Sequence, residues 1–241
     1  MSALRAFAVQ ERDERTGGIF FAEHDIVAKK RGANEFADGD ISGVSCERVP
    51  WADAYAGRAV PAKLMISHGW HFECSGCGMR INEDDLLDRR LSVDGVIGTQ
   101  WSVVYCCAKC CRRDLSITRR QKAEQQRAID AFKAIVCKRF PDAEFVDQHE
   151  NPNWRHHAYV TYRHGAKGWL WEQVAVRFLF PGMEIGPATL RLPDRPWRGY
   201  GQNNQFSGPL QPYYTCCNGD REAFEAYAAA TADRAEKEMK A

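Results

Sequence analysis

The stretch 72-FECSGCGMR-80 separates Cys74 from Cys77 by two residues and sets Gly78 directly after them. This is the form of a zinc knuckle. Two thiolates on a tight turn converge on one cation at about 2.3 Å, and glycine lets the backbone amides turn back towards the sulfurs. A second group follows in 103-VVYCCAKCCRR-113, where Cys107 and Cys110 repeat the same gap. Two gapped pairs predict a four-thiolate site made of Cys74, Cys77, Cys107 and Cys110 that holds one Zn2+. The register of the second pair stays open, because Cys106 with Cys110, or Cys107 with Cys111, also reaches a common metal, and His71 can replace one thiolate. Four protein ligands close the coordination sphere, so the zinc is expected to be structural. The competing reading treats the adjacent cysteines as small apolar core residues.

The compartment supports metal over disulfides. The N-terminus lacks the apolar core of a signal peptide, and no apolar run approaches the ~20 residues that span a bilayer. A cytoplasmic protein with no membrane partner is expected, and reducing conditions there keep thiols free. Of the ten cysteines, Cys46, Cys137, Cys216 and Cys217 fall outside the pattern and are expected to be buried thiols.

Working outwards, residues 1–70 read as a small mixed module. "AFAVQ", "GIFFA", "GVSCERV" and "KLMISH" look like strands, and "HDIVAKKRGANEF" is a helical stretch. The zinc module spans 71–140. It contains a charged insertion, "NEDDLLDRRLSVDG", expected to loop out before "TQWSVVYC" returns as a strand. It ends in a long helix from Ser116 to Phe140, in which Ile129, Phe132, Val136 and Phe140 recur at helical spacing and Pro141 marks the stop. Residues 141–241 then give an antiparallel meander ("HAYVTYRH", "EQVAVRFLF", "ATLRL"), a long ordered loop over 193–214 and a terminal helix from Asp220. The predicted class is α+β, with a zinc-ribbon or treble-clef-like four-cysteine module and a long basic helix.

Charge is balanced over the whole chain, 33 basic against 32 acidic side chains, so any basic surface must be local. One such place is Lys109 to Lys122, which carries six positive side chains and a single acid, Asp114. Arg113, Arg120 and Arg127 repeat every two helical turns and face away from Ile129. Arg112, Arg113, Arg119, Arg120, Lys122 and Arg127 are therefore the candidate nucleic-acid contacts, for DNA or RNA. A solvated helix face or a protein-docking face is the alternative.

An enzyme reading rests on "HENPNWRHHAYVTYRH", where His149, Glu150, Asn151, His156, His157 and His164 are residue types of a metal-dependent nuclease. These histidines follow the cysteine pairs by about forty residues and a full helix. Neither the order of a His-Asn-His hairpin nor a Glu-x-Lys after Pro141 and Asp142 is present. A nucleophile elbow, a P-loop and a dinucleotide fingerprint are likewise absent, and no small-molecule substrate is expected.

The segments "GGIFFAEHDIVAKKRGANEF", "SCERVPWADAY" and "HGWHFECSGCGMRI" resemble phage- and prophage-encoded proteins that pair a small N-terminal domain with a cysteine knuckle. The resemblance covers the first third of the chain. It implies a part in phage–host interaction, either on nucleic acid or by binding and inhibiting a host protein. The expectation is thus a non-enzymatic, zinc-dependent nucleic-acid-binding or regulatory protein. A host-protein inhibitor or adaptor is second and a nuclease third.

Overall fold

Adjacent residues Ala6 and Phe7 are both buried, as suits β1 (Arg5–Glu11) with "RAFAVQE" as the central strand of a three-stranded antiparallel sheet, between β2 (Gly17–Ala22) and β3 (Val44–Arg48). The computed structural model describes residues 4–13, 16–145, 147, 150–163, 168–192 and 211–240. The chain divides into two compact units, Met1–Ser116 and Ile117–Ala241.

In the first unit the two faces of β1 serve two cores, as a period of two requires. Phe7 and Val9 pack with Ala28 and Ala33 of α1 (Asp25–Phe36), while Ala6 packs with Ile19, Ala52, Val60 and Met65. The segment "KLMISH" is helical rather than extended. Ala62, Met65 and Ile66 of α2 (Ala62–Ile66) are all buried, and their spacing of three and four fits a helix. The knuckle follows as a short hairpin of β4 (Phe72–Glu73) and β5 (Arg80–Ile81). The charged insertion is also structured: Asn82 caps α3 (Glu83–Asp88) by accepting from the Asp85 amide, and Leu86 is buried beneath it. "TQWSVVYC" does not form a strand; it holds a turn and two isolated bridges, Thr99 to Pro61 and Tyr105 to Ile97.

Helix α4 runs Ala108–Arg139, so it starts well before Ser116, and Cys110 and Cys111 lie in its first turn. In the second unit Ala128, Phe132 and Val136 of α4, with Phe140 just beyond, cover one face of an antiparallel sheet. That sheet contains β6 (Glu144–Phe145), β7 (His157–Arg163), β8 (Gly168–Leu179), β9 (Ala188–Leu192) and β10 (Tyr213–Thr215), with β8 paired to β6, β7 and β9. Phe178 of β8 and Tyr214 of β10 meet Phe140 at ring distances of 5.4 and 5.3 Å. Helix α5 (Arg221–Lys240) adds Phe224, Tyr227, Ala228 and Thr231 on one side, as their spacing predicts. Most of the expected 193–214 loop lies outside the described residues. Among the described residues, no helix is long and apolar enough to cross a membrane.

Candidate metal centre

The knuckle turn is built by its own backbone. The Gly78 amide donates to Cys74 O at 2.7 Å, and the Cys74 amide donates to Met79 O at 2.8 Å, closing the turn between β4 and β5. Gly78 sits at φ 71°, which a side chain would strain. Gly76 serves the site differently: a Cβ there would lie 2.8 Å from the Cys110 Cβ, so only glycine lets the turn approach the start of α4 this closely. The Ser75 amide donates to Val104 O at 2.9 Å and fastens the knuckle to the strand-like entry of the second cysteine group.

These constraints bring the sulfurs of Cys74, Cys77, Cys106 and Cys110 within 4.8 Å of one another. The group so formed contains Cys106 with Cys110, the alternative register, and leaves out Cys107. The physical reason is where the helix begins. Cys106 ends the extended entry and is buried, whereas Cys107 stands at the helix boundary and is half-buried. Cys106 Sγ lies 3.9 Å from Cys77 Sγ and 3.5 Å from Cys110 Sγ. A tetrahedron with metal–sulfur bonds of about 2.3 Å has sulfur–sulfur edges of about 3.8 Å, so the donor set fits zinc. Cys74 and Cys77 come from the β4–β5 hairpin, Cys106 from the segment just before α4 and Cys110 from its first turn.

The protonation balance of the thiols follows from contact and burial. For Cys74, burial opposes ionisation, but amides of Cys106, Gly76 and Cys77 point at its sulfur and bring it down to about 7; the Cys106 amide is 3.3 Å away. Burial first, then hydrogen bonds among the sulfurs, push the Cys106 thiol up, and Cys110 is raised to about 12 with burial as the main cause. Packed thiols cannot all ionise by themselves. A divalent cation removes that restriction by supplying the compensating charge.

The other candidates are placed as follows. Cys111 is half-buried and outside the group of four, and His71 is exposed, lining a cleft of about 1010 Å³ with Trp70, Arg80 and Trp101. The expectation of burial fails for the leftover cysteines: Cys137 is exposed, and Cys46, Cys216 and Cys217 are half-buried. Arg112, Arg113, Arg119, Arg120, Lys122 and Arg127 are all exposed. Arg127 forms an ion pair with Glu124; among the described residues no acidic partner pairs with the other five.

Of the nuclease candidates, His149 and His164 lie outside the described residues. Glu150, Asn151 and His157 are exposed, while His156 is turned into the fold with Nδ1 accepting the Arg177 amide at 3.1 Å. Asn151 instead accepts the Asn153 amide at 3.0 Å and caps a short turn. Sequence reasoning did not single out Tyr105, whose hydroxyl donates to Asp114 Oδ2 at 2.7 Å and ties the entry of the second cysteine group to α4. Its place directly before Cys106 was the available signal.

Four cysteines in this chain thus form a group that can hold a metal ion, set in an α+β fold. No family model, no curated protein and no solved structure matches the chain.

Proposed function

We propose that the protein is a zinc-stabilised nucleic-acid-binding or regulatory protein without a catalytic step of its own. Zn2+ held by Cys74, Cys77, Cys106 and Cys110 fixes the knuckle against the first turn of α4. With four protein ligands the ion is structural, and what it supplies is folding free energy. The observation that carries the nucleic-acid reading is the set of exposed, unneutralised cations on α4. Arg112 and Arg113 belong to the first unit, beside the cysteines; Arg119, Arg120 and Lys122 belong to the second. Asp114, the one acid between Lys109 and Lys122, is engaged by Tyr105. Guanidinium groups that have no carboxylate partner among the described residues suit phosphate oxygens, which they can take bidentately.

The test is a fluorescence-anisotropy titration of the zinc-loaded chain against duplex DNA, single-stranded DNA and RNA at two salt concentrations. Binding that weakens steeply with salt is the expected result. Absence of binding at low salt would overturn this reading and favour a protein partner. That second reading has its own observation: the connection ahead of the second cysteine group exposes Ile97, Trp101 and Val103.

A further inference from the structure

We infer that the cleft lined by Trp101, Arg12 and Arg80 binds unpaired nucleotides of a single-stranded nucleic acid, with the indole as stacking platform and the two guanidinium groups on phosphates. The inference rests on the nucleic-acid reading above and adds a contact surface within the first unit to the cations of α4. The cleft measures about 1010 Å³, at the upper end of the range of about 300–1,000 Å³ usual for ligand sites. Its walls come from the joined ends of β1 and β2, from the turn before β4 and from the β4–β5 hairpin that carries the cysteine knuckle. Gly78 and Arg80 of that hairpin line it directly, so the metal site and the cleft share one element.

Trp101 is held as a fixed shelf. Its ring stacks on Phe36 at 6.2 Å and meets Phe20 edge-on at 5.5 Å, yet the residue stays 49% exposed. Gly18 leaves room for it: a Cβ there would lie 2.7 Å from Trp101 Cη2. The neighbouring Gln100 fastens the backbone, its Nε2 donating to Ile19 O at 3.0 Å and its Oε1 accepting the Ile19 amide at 2.8 Å. A half-exposed indole already fixed in place offers a π face to an unpaired base, whatever the base, whereas a duplex keeps its base faces stacked inside. Arg12 and Arg80 supply the charge. Both are exposed, and among the described residues neither forms an ion pair. Of the two acids in the lining, Glu11 accepts the Thr16 hydroxyl at 2.9 Å. Glu73 stands opposite Arg80 in the β4–β5 ladder, and its carboxylate suits an exocyclic amino group at a base edge.

The test uses the zinc-loaded full chain, titrated into a labelled single-stranded DNA of mixed sequence and into the same strand annealed to its complement. Trp101→Leu keeps an apolar contact with Phe20 and Phe36 but removes the π face. It is expected to weaken single-strand binding roughly 5- to 150-fold, the range of one lost base stack, and to leave duplex binding unchanged. Trp101→Phe, which still stacks, is expected to retain most of the affinity. Arg12→Gln and Arg80→Gln should each lower the single-strand slope of log K against log salt by about 0.7. Single-strand binding by Trp101→Leu equal to that of the natural chain overturns the inference and returns Trp101 to the exposed apolar connection with Ile97 and Val103. Should Trp101→Leu fail to fold, the two exposed arginines decide, and an unchanged salt slope in both variants overturns it. A natural chain that binds the duplex while these substitutions are silent keeps the α4 reading and removes the cleft from it. A natural chain that binds neither probe at low salt brings down both, so the two failures are distinguishable.

Discussion

The Tyr105 hydroxyl donates to Asp114 Oδ2 across 2.7 Å, and the two residues bracket Cys106 and Cys110. The bond links the extended entry of the metal site to the helix that follows it. The carboxylate as acceptor, with burial adding to it, raises the Tyr105 phenol to about 12. A group whose pKa is raised by folding stabilises the fold fully below its unfolded value, near 10, and that contribution disappears as pH rises through about 12. Spectrophotometric titration should show one late-ionising tyrosine that Tyr105→Phe removes, and the variant should melt at a lower temperature at pH 7.

Gly76 faces the Cys110 Cβ so closely that an added methyl would lie at 2.8 Å. Gly76→Ala should push the knuckle away from α4, at a cost of about 1–3 kcal/mol from overpacking. The loss should appear as weaker zinc retention in a chelator competition, with the sheet of β1, β2 and β3 still folded. A variant that holds zinc as tightly as the natural chain would mean that the turn and helix need not approach this closely.

The helix cores, and those strands that pack one face on a core, were legible because periodicity survives any tertiary context in which one face is buried. Phe132, Val136 and Phe140 announced the covered face of α4, and Phe224, Tyr227 and Thr231 that of α5. The cysteine register was not legible. Cys106 and Cys107 differ by one residue, and it is Cys106, ahead of the start of α4 at Ala108, that joins the group of four sulfurs. The α2 segment misled for a related reason: "KLMISH" is short, and short apolar runs fit a strand or a helix equally well until burial shows which spacing is used.

His156 is one of the residues of nuclease type in "HENPNWRHHAYVTYRH", and its surroundings give it a structural task. Its Nδ1 accepts the Arg177 amide, its Nε2 lies 3.2 Å from Asp147 Oδ1, and Lys133 pairs with the same carboxylate. Burial, followed by the Lys133 charge, holds its pKa below the usual 6.5. A depressed histidine stabilises the fold above its unfolded pKa, and the contribution is lost as pH falls from 6.5 through the folded value. The melting temperature should therefore drop between pH 7 and pH 5. Imidazole nitrogen shifts followed by NMR should show His156 neutral at pH 6.5; a midpoint at or above that value would count against the buried, neutral ring.

Phe140 is 1% exposed and joins α4 to the sheet and to α5, with the Tyr227 ring 5.1 Å and the Phe224 ring 5.8 Å away. Truncation to alanine removes a large side chain from a closed cluster and should cost about 3–5 kcal/mol. Denaturant unfolding monitored through Trp171, which packs against the same cluster, would measure the loss. A change under about 1 kcal/mol would show that the cluster collapses around the cavity or that the packing is looser than these ring distances imply.

The cations of α4 make the most direct functional prediction. Reversing Arg112 and Arg113 to Glu, and separately Arg119, Arg120 and Lys122 to Glu, should leave the buried positions Phe132 and Val136 untouched, because all five side chains are exposed. If they meet phosphates, each lost contact should reduce the slope of log K against log salt for duplex DNA by about 0.9, and affinity should fall for all sequences alike. Arg127 is the internal control: its guanidinium already has a carboxylate partner in Glu124, so Arg127→Glu should change the salt slope less than reversal of an unpaired arginine. Equal effects at Arg127 and Arg120 would indicate a diffuse field instead of discrete phosphate contacts. Full binding retained after both sets of reversals would remove α4 from the interface altogether.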